Sequence, residues 1–133
     1  MGPALKHVLI VEDVDEMLRL LELTVSAIPG LKVTSTCRNT WETRLELTRR
    51  MPAIVLLDEI LPGESGLDLL KELVSLNLTV VLLTGNLQQK RLPLPPGAIA
   101  RLTKPGWGDD LEAEQKRFAD ELLAALAAPN KPT

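Results

Sequence analysis

What most limits the fold of this chain is an alternation between short, almost wholly apolar runs and longer stretches with helical periodicity. The runs His7 to Val11, Ala53 to Leu57 and Thr79 to Leu83 are bounded by acidic, Gly or Pro residues, as strands buried on both faces are. Leu31 to Thr36 and Ala98 to Leu102 are more polar and alternate, which fits strands nearer a sheet edge. His7, at the start of the first run, is read as structural.

The intervening stretches carry helix signals. From about Asp15 to Ile28, Met17, Leu18, Leu20, Leu21, Val25 and Ile28 cover one side, and Pro29-Gly30 ends the pattern. Asn39 with Glu42 forms a capping-box pattern for a helix through Met51, closed by Pro52. Ser65 with Asp68 opens another through Leu69, Leu70 and Leu73. A last helix is expected to start near Asp109, with Glu112 in the capping-box position and Leu111, Phe118, Leu122, Ala125 and Leu126 at helical spacing. Leu87 to Leu92 allows little more than one turn before Pro93, Pro95, Pro96 and Gly97, so the fourth helix is expected to be short or irregular. Strands alternating with such helices imply right-handed crossovers and a parallel sheet covered on both faces.

Composition narrows the class. A chain of 133 residues suits one domain, and its apolar and charged fractions of 45% and 25% exclude disordered and fibrous classes. The net charge of −3, without a Lys/Arg-dense stripe, argues against nucleic acid as a direct partner. No apolar run suggests a membrane span, and no secretion signal is evident. The single cysteine, Cys37, excludes an internal disulfide, and the cytoplasm is the expected compartment. Residues 1–5 and 129–133 read as tails around a domain at 6–128.

In an open parallel sheet, ligands bind beyond the carboxyl ends of the strands. The residues there are Glu12-Asp13, Asp58, Thr84 and Lys104. Each has a bland reading, since an acidic pair, a Thr-Gly or a Lys-Pro is common in turns. Their joint occurrence at four strand ends is the signal. Three carboxylates crowded together disfavour one another's ionisation unless a cation neutralises them, and Mg²⁺ is the natural hard cation, with Asp13 and Asp58 as direct ligands. A carboxylate can attack phosphorus, a transfer that needs in-line positioning and neutralised equatorial oxygens; Lys104 and Thr84 would supply the partners.

From Lys6 to about Ala128 the chain resembles the response-regulator receiver family. Val8-Leu9-Ile10-Val11-Glu12-Asp13 is similar to its first strand and acidic pair, and Ile54-Val55-Leu56-Leu57-Asp58 to its third strand and phosphoacceptor. Leu61-Pro62-Gly63 with Gly66, Leu82-Leu83-Thr84-Gly85 and Thr103-Lys104-Pro105 resemble the loop after the acceptor, the switch-threonine region and the lysine with its usual cis-proline. The resemblance implies a flavodoxin-like doubly wound α/β fold with five parallel strands in the order 2-1-3-4-5. It further implies Mg²⁺ held by Asp13, Asp58 and the Ile60 carbonyl, with Glu12 acting through water. The implied function is a single-domain receiver of a two-component or phosphorelay system. It would take its phosphoryl group from a histidine kinase or histidine phosphotransfer protein and signal to another, unidentified protein.

Arg101 stands where the family often has Tyr or Phe, the fourth helix is eroded by proline, and Gly106 delays the following aromatic to Trp107. Arg101 and Trp107 are accordingly the expected switch and output residues, with Arg101 hydrated or paired to an acid. Two enzyme-like or carrier-like alternatives fit less well. A haloacid-dehalogenase-type phosphatase needs a carboxylate two residues after the nucleophile, where this chain has Ile60. A flavodoxin-type carrier needs a phosphate-welcoming first loop, and Glu12-Asp13-Val14-Asp15-Glu16 would repel one. A receiver-shaped binding module that is never phosphorylated is the third.

Overall fold

The computed structural model describes residues 5–108 and 110–128. Strand β1 (Lys6–Val11) leads into α1 (Asp15–Ser26), then β2 (Leu31–Cys37), α2 (Thr40–Arg49) and β3 (Ile54–Asp58). A small hairpin, β4 (Ile60–Leu61) and β5 (Glu64–Ser65), precedes α3 (Gly66–Ser75), β6 (Thr79–Thr84), α4 (Leu87–Lys90), β7 (Ala98–Thr103) and α5 (Leu111–Ala127). The five long strands form one parallel sheet in the order β2-β1-β3-β6-β7, the expected doubly wound α/β arrangement.

Period-two geometry explains why the central strands are apolar throughout. Val8 and Ile10 of β1 point into a core closed by Leu18, Leu21 and Val25 of α1 and by Phe118 and Leu122 of α5. Leu9 and Val11 point the other way, against Leu69, Leu70 and Leu73 of α3. With both faces covered, polar side chains are confined to the strand ends and to the edge strands β2 and β7, whose patterns include half-buried and exposed positions.

The helix boundaries follow local chemistry. Asn39 caps α2, its Oδ1 accepting from the Glu42 N–H at 2.7 Å, while Glu42 Oε1 accepts from the Arg38 N–H at 3.2 Å. Helix α4 is one short turn with no buried residue, as the prolines after it require. The cap of α5 is Asp110, whose Oδ1 accepts from the Ala113 N–H at 3.0 Å. Asp109, near which the helix was expected to start, and residues 1–4 and 129–133 lie outside the described residues.

The β4–β5 hairpin was not foreseen. Pro62 and Gly63 form its turn, with Gly63 at φ 73°, a left-handed conformation that favours glycine. Gly66, at the start of α3, is needed for space: a Cβ there would lie 2.7 Å from the Glu59 carbonyl oxygen and 3.1 Å from that of Asp58. Helix α3 can thus close directly beneath the end of β3.

Candidate functional site

The site lies along the carboxyl edge of the sheet. Asp58 is the last residue of β3, between β1 and β6, and is 4% exposed. Its Oδ1 accepts from the Ile60 N–H at 3.0 Å, and its Oδ2 accepts from Lys104 Nζ at 3.1 Å. Both oxygens are thereby oriented, which a rotating carboxylate at an open surface would not be.

Glu12 follows β1 and is fully buried, a position that costs several kcal/mol for an unpaired carboxylate. Its partners are Lys104 Nζ, 2.6 Å from Oε1, and the Val14 N–H, 3.0 Å from Oε2. Lys104, just past β7, is reached because its backbone N–H donates to the Thr84 carbonyl at 2.8 Å, locking the ends of β6 and β7 together. Thr84 ends β6 with its hydroxyl turned to its own loop, where Oγ1 accepts from the Asn86 N–H at 3.0 Å.

Carboxylate oxygens of Glu12, Asp13 and Asp58 all lie within 4.8 Å of one another. A single ammonium cannot neutralise three carboxylates, and Asp58 bears the conflict. Burial, with Glu12 adding to it, pushes its carboxyl up to about 6 against the opposing pull of the Ile60 N–H and Lys104. Burial works against the Lys104 charge, but bonding to Glu12 and the field of Asp58 outweigh it and hold the ammonium protonated. Hard oxygen donors with excess negative charge suit a divalent cation such as Mg²⁺.

An open cavity of about 320 Å³ gives access, lined by Asp13, Asp58, Ile60, Thr84, Gln89 and Lys104 among others. All five expected strand-end residues are therefore brought together. Ile60 lies at the rim, 68% exposed, with no carboxylate at that position, so the acid that a dehalogenase-type phosphatase needs is missing.

Arg101 takes the paired alternative. Its Nε contacts Glu59 Oε1 with the two side chains only 6% and 10% exposed, and its Nη1 donates to the Leu92 carbonyl at 2.8 Å. Trp107 is 59% exposed, so it is not packed beneath the last helix. The cis bond expected before Pro105 is not found, since no peptide bond among the described residues is cis. The trans form is the intrinsically favoured one, and here the turn is closed by α5: Arg117 binds the Thr103 and Lys104 carbonyls and Glu114 binds the Gly106 N–H. His7 is exposed at the opposite end of β1. Sequence reasoning missed Glu59, Gln89 and Arg117, whose roles depend on tertiary direction; only the charge of Glu59 beside Asp58 offered a signal.

These features define a receiver: residues 8–115 match the response regulator receiver domain model, and the chain belongs to that family. It is 26% identical over 140 aligned residues to protein-glutamate methylesterase/protein-glutamine glutaminase 1 of Xanthomonas campestris pv. campestris, covering 95% of this chain and 39% of that protein. The chain thus spans well under half of that longer relative. The response regulator domain of Thermotoga maritima CheB superposes with a TM-score of 0.77 at 19% identity, covering 94% of this chain and 98% of that one. In the R. sphaeroides complex of CheY6 with the phosphorylated P1 domain of CheA3, the matched chain gives 0.61 at 20% identity, with coverage of 90% and 97%.

Proposed function

We propose that this response-regulator receiver accepts a phosphoryl group on Asp58 and passes the signal on by protein–protein contact. The observation that carries this reading is the orientation of Asp58 in the lining of the cavity, with Oδ1 on the Ile60 N–H and Oδ2 on Lys104. In the transfer, a carboxylate oxygen forms a bond to phosphorus while the donor's bond to phosphorus breaks, its electron pair leaving with the donor. Lys104 neutralises an equatorial oxygen. Thr84 exchanges its bond to Asn86 for one to the phosphoryl group. Neither step needs a histidine base.

Asp13, Asp58 and the Ile60 carbonyl are the proposed Mg²⁺ ligands, with Glu12 acting through water. Bound there, the ion would supply charge neutralisation of the phosphoryl oxygens. The donor class is a histidine kinase or histidine phosphotransfer protein, in keeping with the CheY6–CheA3 P1 complex among the matched structures. Among the described residues no helix is long and apolar enough to cross a membrane, and the cytoplasm, where such donors act, is the proposed compartment.

Incubation with acetyl phosphate and Mg²⁺ should give a base-labile adduct on Asp58, located by mass spectrometry, and Asp58→Asn should fold and stay unlabelled. An adduct on Glu12 or Asp15 would sink the assignment. Steady turnover of a general phosphomonoester would instead favour a phosphatase.

A further inference from the structure

The lysine of the site sits on a turn that has little regular structure of its own. After Thr103 the chain leaves the sheet, Pro105 has no N–H, and the carbonyls of Thr103 and Lys104 must find donors elsewhere. Arg117, two turns into α5, supplies them: its Nη2 donates to the Thr103 carbonyl at 3.1 Å and to the Lys104 carbonyl at 3.2 Å. On the far side of Pro105, the first available N–H, that of Gly106, donates to Glu114 Oε1 at 2.9 Å.

Arg117 and Glu114 are themselves joined, Nε to Oε2 at 3.1 Å, so one ion pair spans the whole turn. Bonding to Arg117, then to the Gly106 N–H, holds the Glu114 carboxyl below its ordinary range. A second acid fixes the guanidinium from behind: Nη1 donates to Glu121 Oε2 at 2.6 Å, and Glu121 Oε1 accepts from Lys90 Nζ of α4 at 3.2 Å. A Cβ at Gly106 would stand 3.2 Å from Glu114 Oε1, so the glycine leaves room for the acid.

Resting on the reading that Asp58 is the phosphoacceptor, we propose that the Arg117–Glu114 pair of α5 is a positioning device that holds the backbone of Lys104, keeping its ammonium on Asp58. Partly exposed ion pairs contribute little to stability, so stability alone does not account for so many directed bonds on one turn. The planar guanidinium serves two carbonyls and two carboxylates at once; an ammonium in its place has neither the reach nor the fixed directions. Displacing the turn moves Nζ relative to the phosphoryl oxygen it must meet, and small misplacements of catalytic groups carry large rate effects.

The test compares the parent with Arg117→Gln, Arg117→Lys and Glu114→Gln. Three quantities are measured: the rate of Asp58 labelling by acetyl phosphate at saturating Mg²⁺, Mg²⁺ affinity by calorimetry, and hydrogen exchange of the Gly106 amide. Arg117→Gln should label roughly tenfold more slowly and exchange Gly106 faster, with Mg²⁺ affinity not reduced, because Asp13 and Asp58 are untouched and a looser Lys104 ammonium competes less with the ion. Arg117→Lys should not restore the rate, and Glu114→Gln should lie between. Labelling at the parental rate by Arg117→Gln, full restoration by Lys, or a loss of Mg²⁺ affinity equal to the loss of rate would overturn the proposal. Should Arg117→Gln not fold, Glu114→Gln decides on the same readouts. A parent that is never labelled would instead remove the phosphoacceptor reading itself.

Discussion

As the proposed phosphoacceptor, Asp58 would have to be buried, ionised and nucleophilic together, and burial opposes the other two. Its folded-state titration near 6 lies above the ordinary 3.8, so between those values the folded protein binds more protons than the unfolded chain. Stability from this group is complete at low pH and is lost as pH rises through about 4 to 6. Allowing for solvent screening, the loss is on the order of 1–3 kcal/mol. Metal-free Asp58→Asn should therefore be more stable than the parent at pH 7.5 and lose that advantage near pH 4; urea unfolding in EDTA measures it, and a parent that gains on the variant as pH rises would refute the cause. Ile60 poses a different question, because an exposed apolar branch at the rim of the cavity cannot orient an attacking water. Ile60→Asn should shorten the lifetime of the Asp58 phosphoryl group severalfold, read by loss of label after donor removal, and an unchanged or longer lifetime would contradict the role.

Among the elements, β7 is tied to the turn that follows β3 by the buried Arg101–Glu59 pair. Removing one partner strands the other's charge, so Arg101→Ala should cost about 3–5 kcal/mol in denaturant unfolding, whereas Arg101→Met with Glu59→Met should be close to neutral. Equal losses in the single and double variants would mean that packing, not charge, holds β7. The three central strands were legible in the sequence because coverage on both faces leaves an apolar run, the edge strands β2 and β7 by their alternation, and α4 because proline forbids its continuation. The β4–β5 hairpin was not, since strands of two residues have no periodicity to read. The strand-end site was legible because parallel topology sends the end of every strand to one edge. The Glu59–Arg101 and Arg117–Lys104 contacts were not: sequence separations of 42 and 13 residues carry no local pattern, and only the packed sheet and α5 set the directions.

Across the whole molecule, the site and the surface beyond it share walls. Glu59 and Gln89 line both the phosphoacceptor cavity and a second cavity of about 390 Å³ formed with Leu67, Leu92, Pro93, Pro95 and Arg101. On the proposed reading, a phosphoryl group on Asp58 would add a charge of roughly −2 beside Thr84 and draw its hydroxyl off the Asn86 backbone, freeing the turn that opens α4. Helix α4 has no buried residue to resist, while Arg101 stays fixed between Glu59 and the Leu92 carbonyl. The response should therefore be confined to residues 85–92 and, through Lys104, to the loop Gly106-Trp107-Gly108, with the far end of the sheet around His7 silent. Beryllofluoride with Mg²⁺ should alter hydrogen exchange in those two segments and the fluorescence of exposed Trp107, and the Arg101→Met, Glu59→Met double variant should keep both changes. If the parent shows no change in 85–92, or if the double variant loses the Trp107 response while still binding the mimic, Arg101 is itself the switch and the route through α4 is wrong.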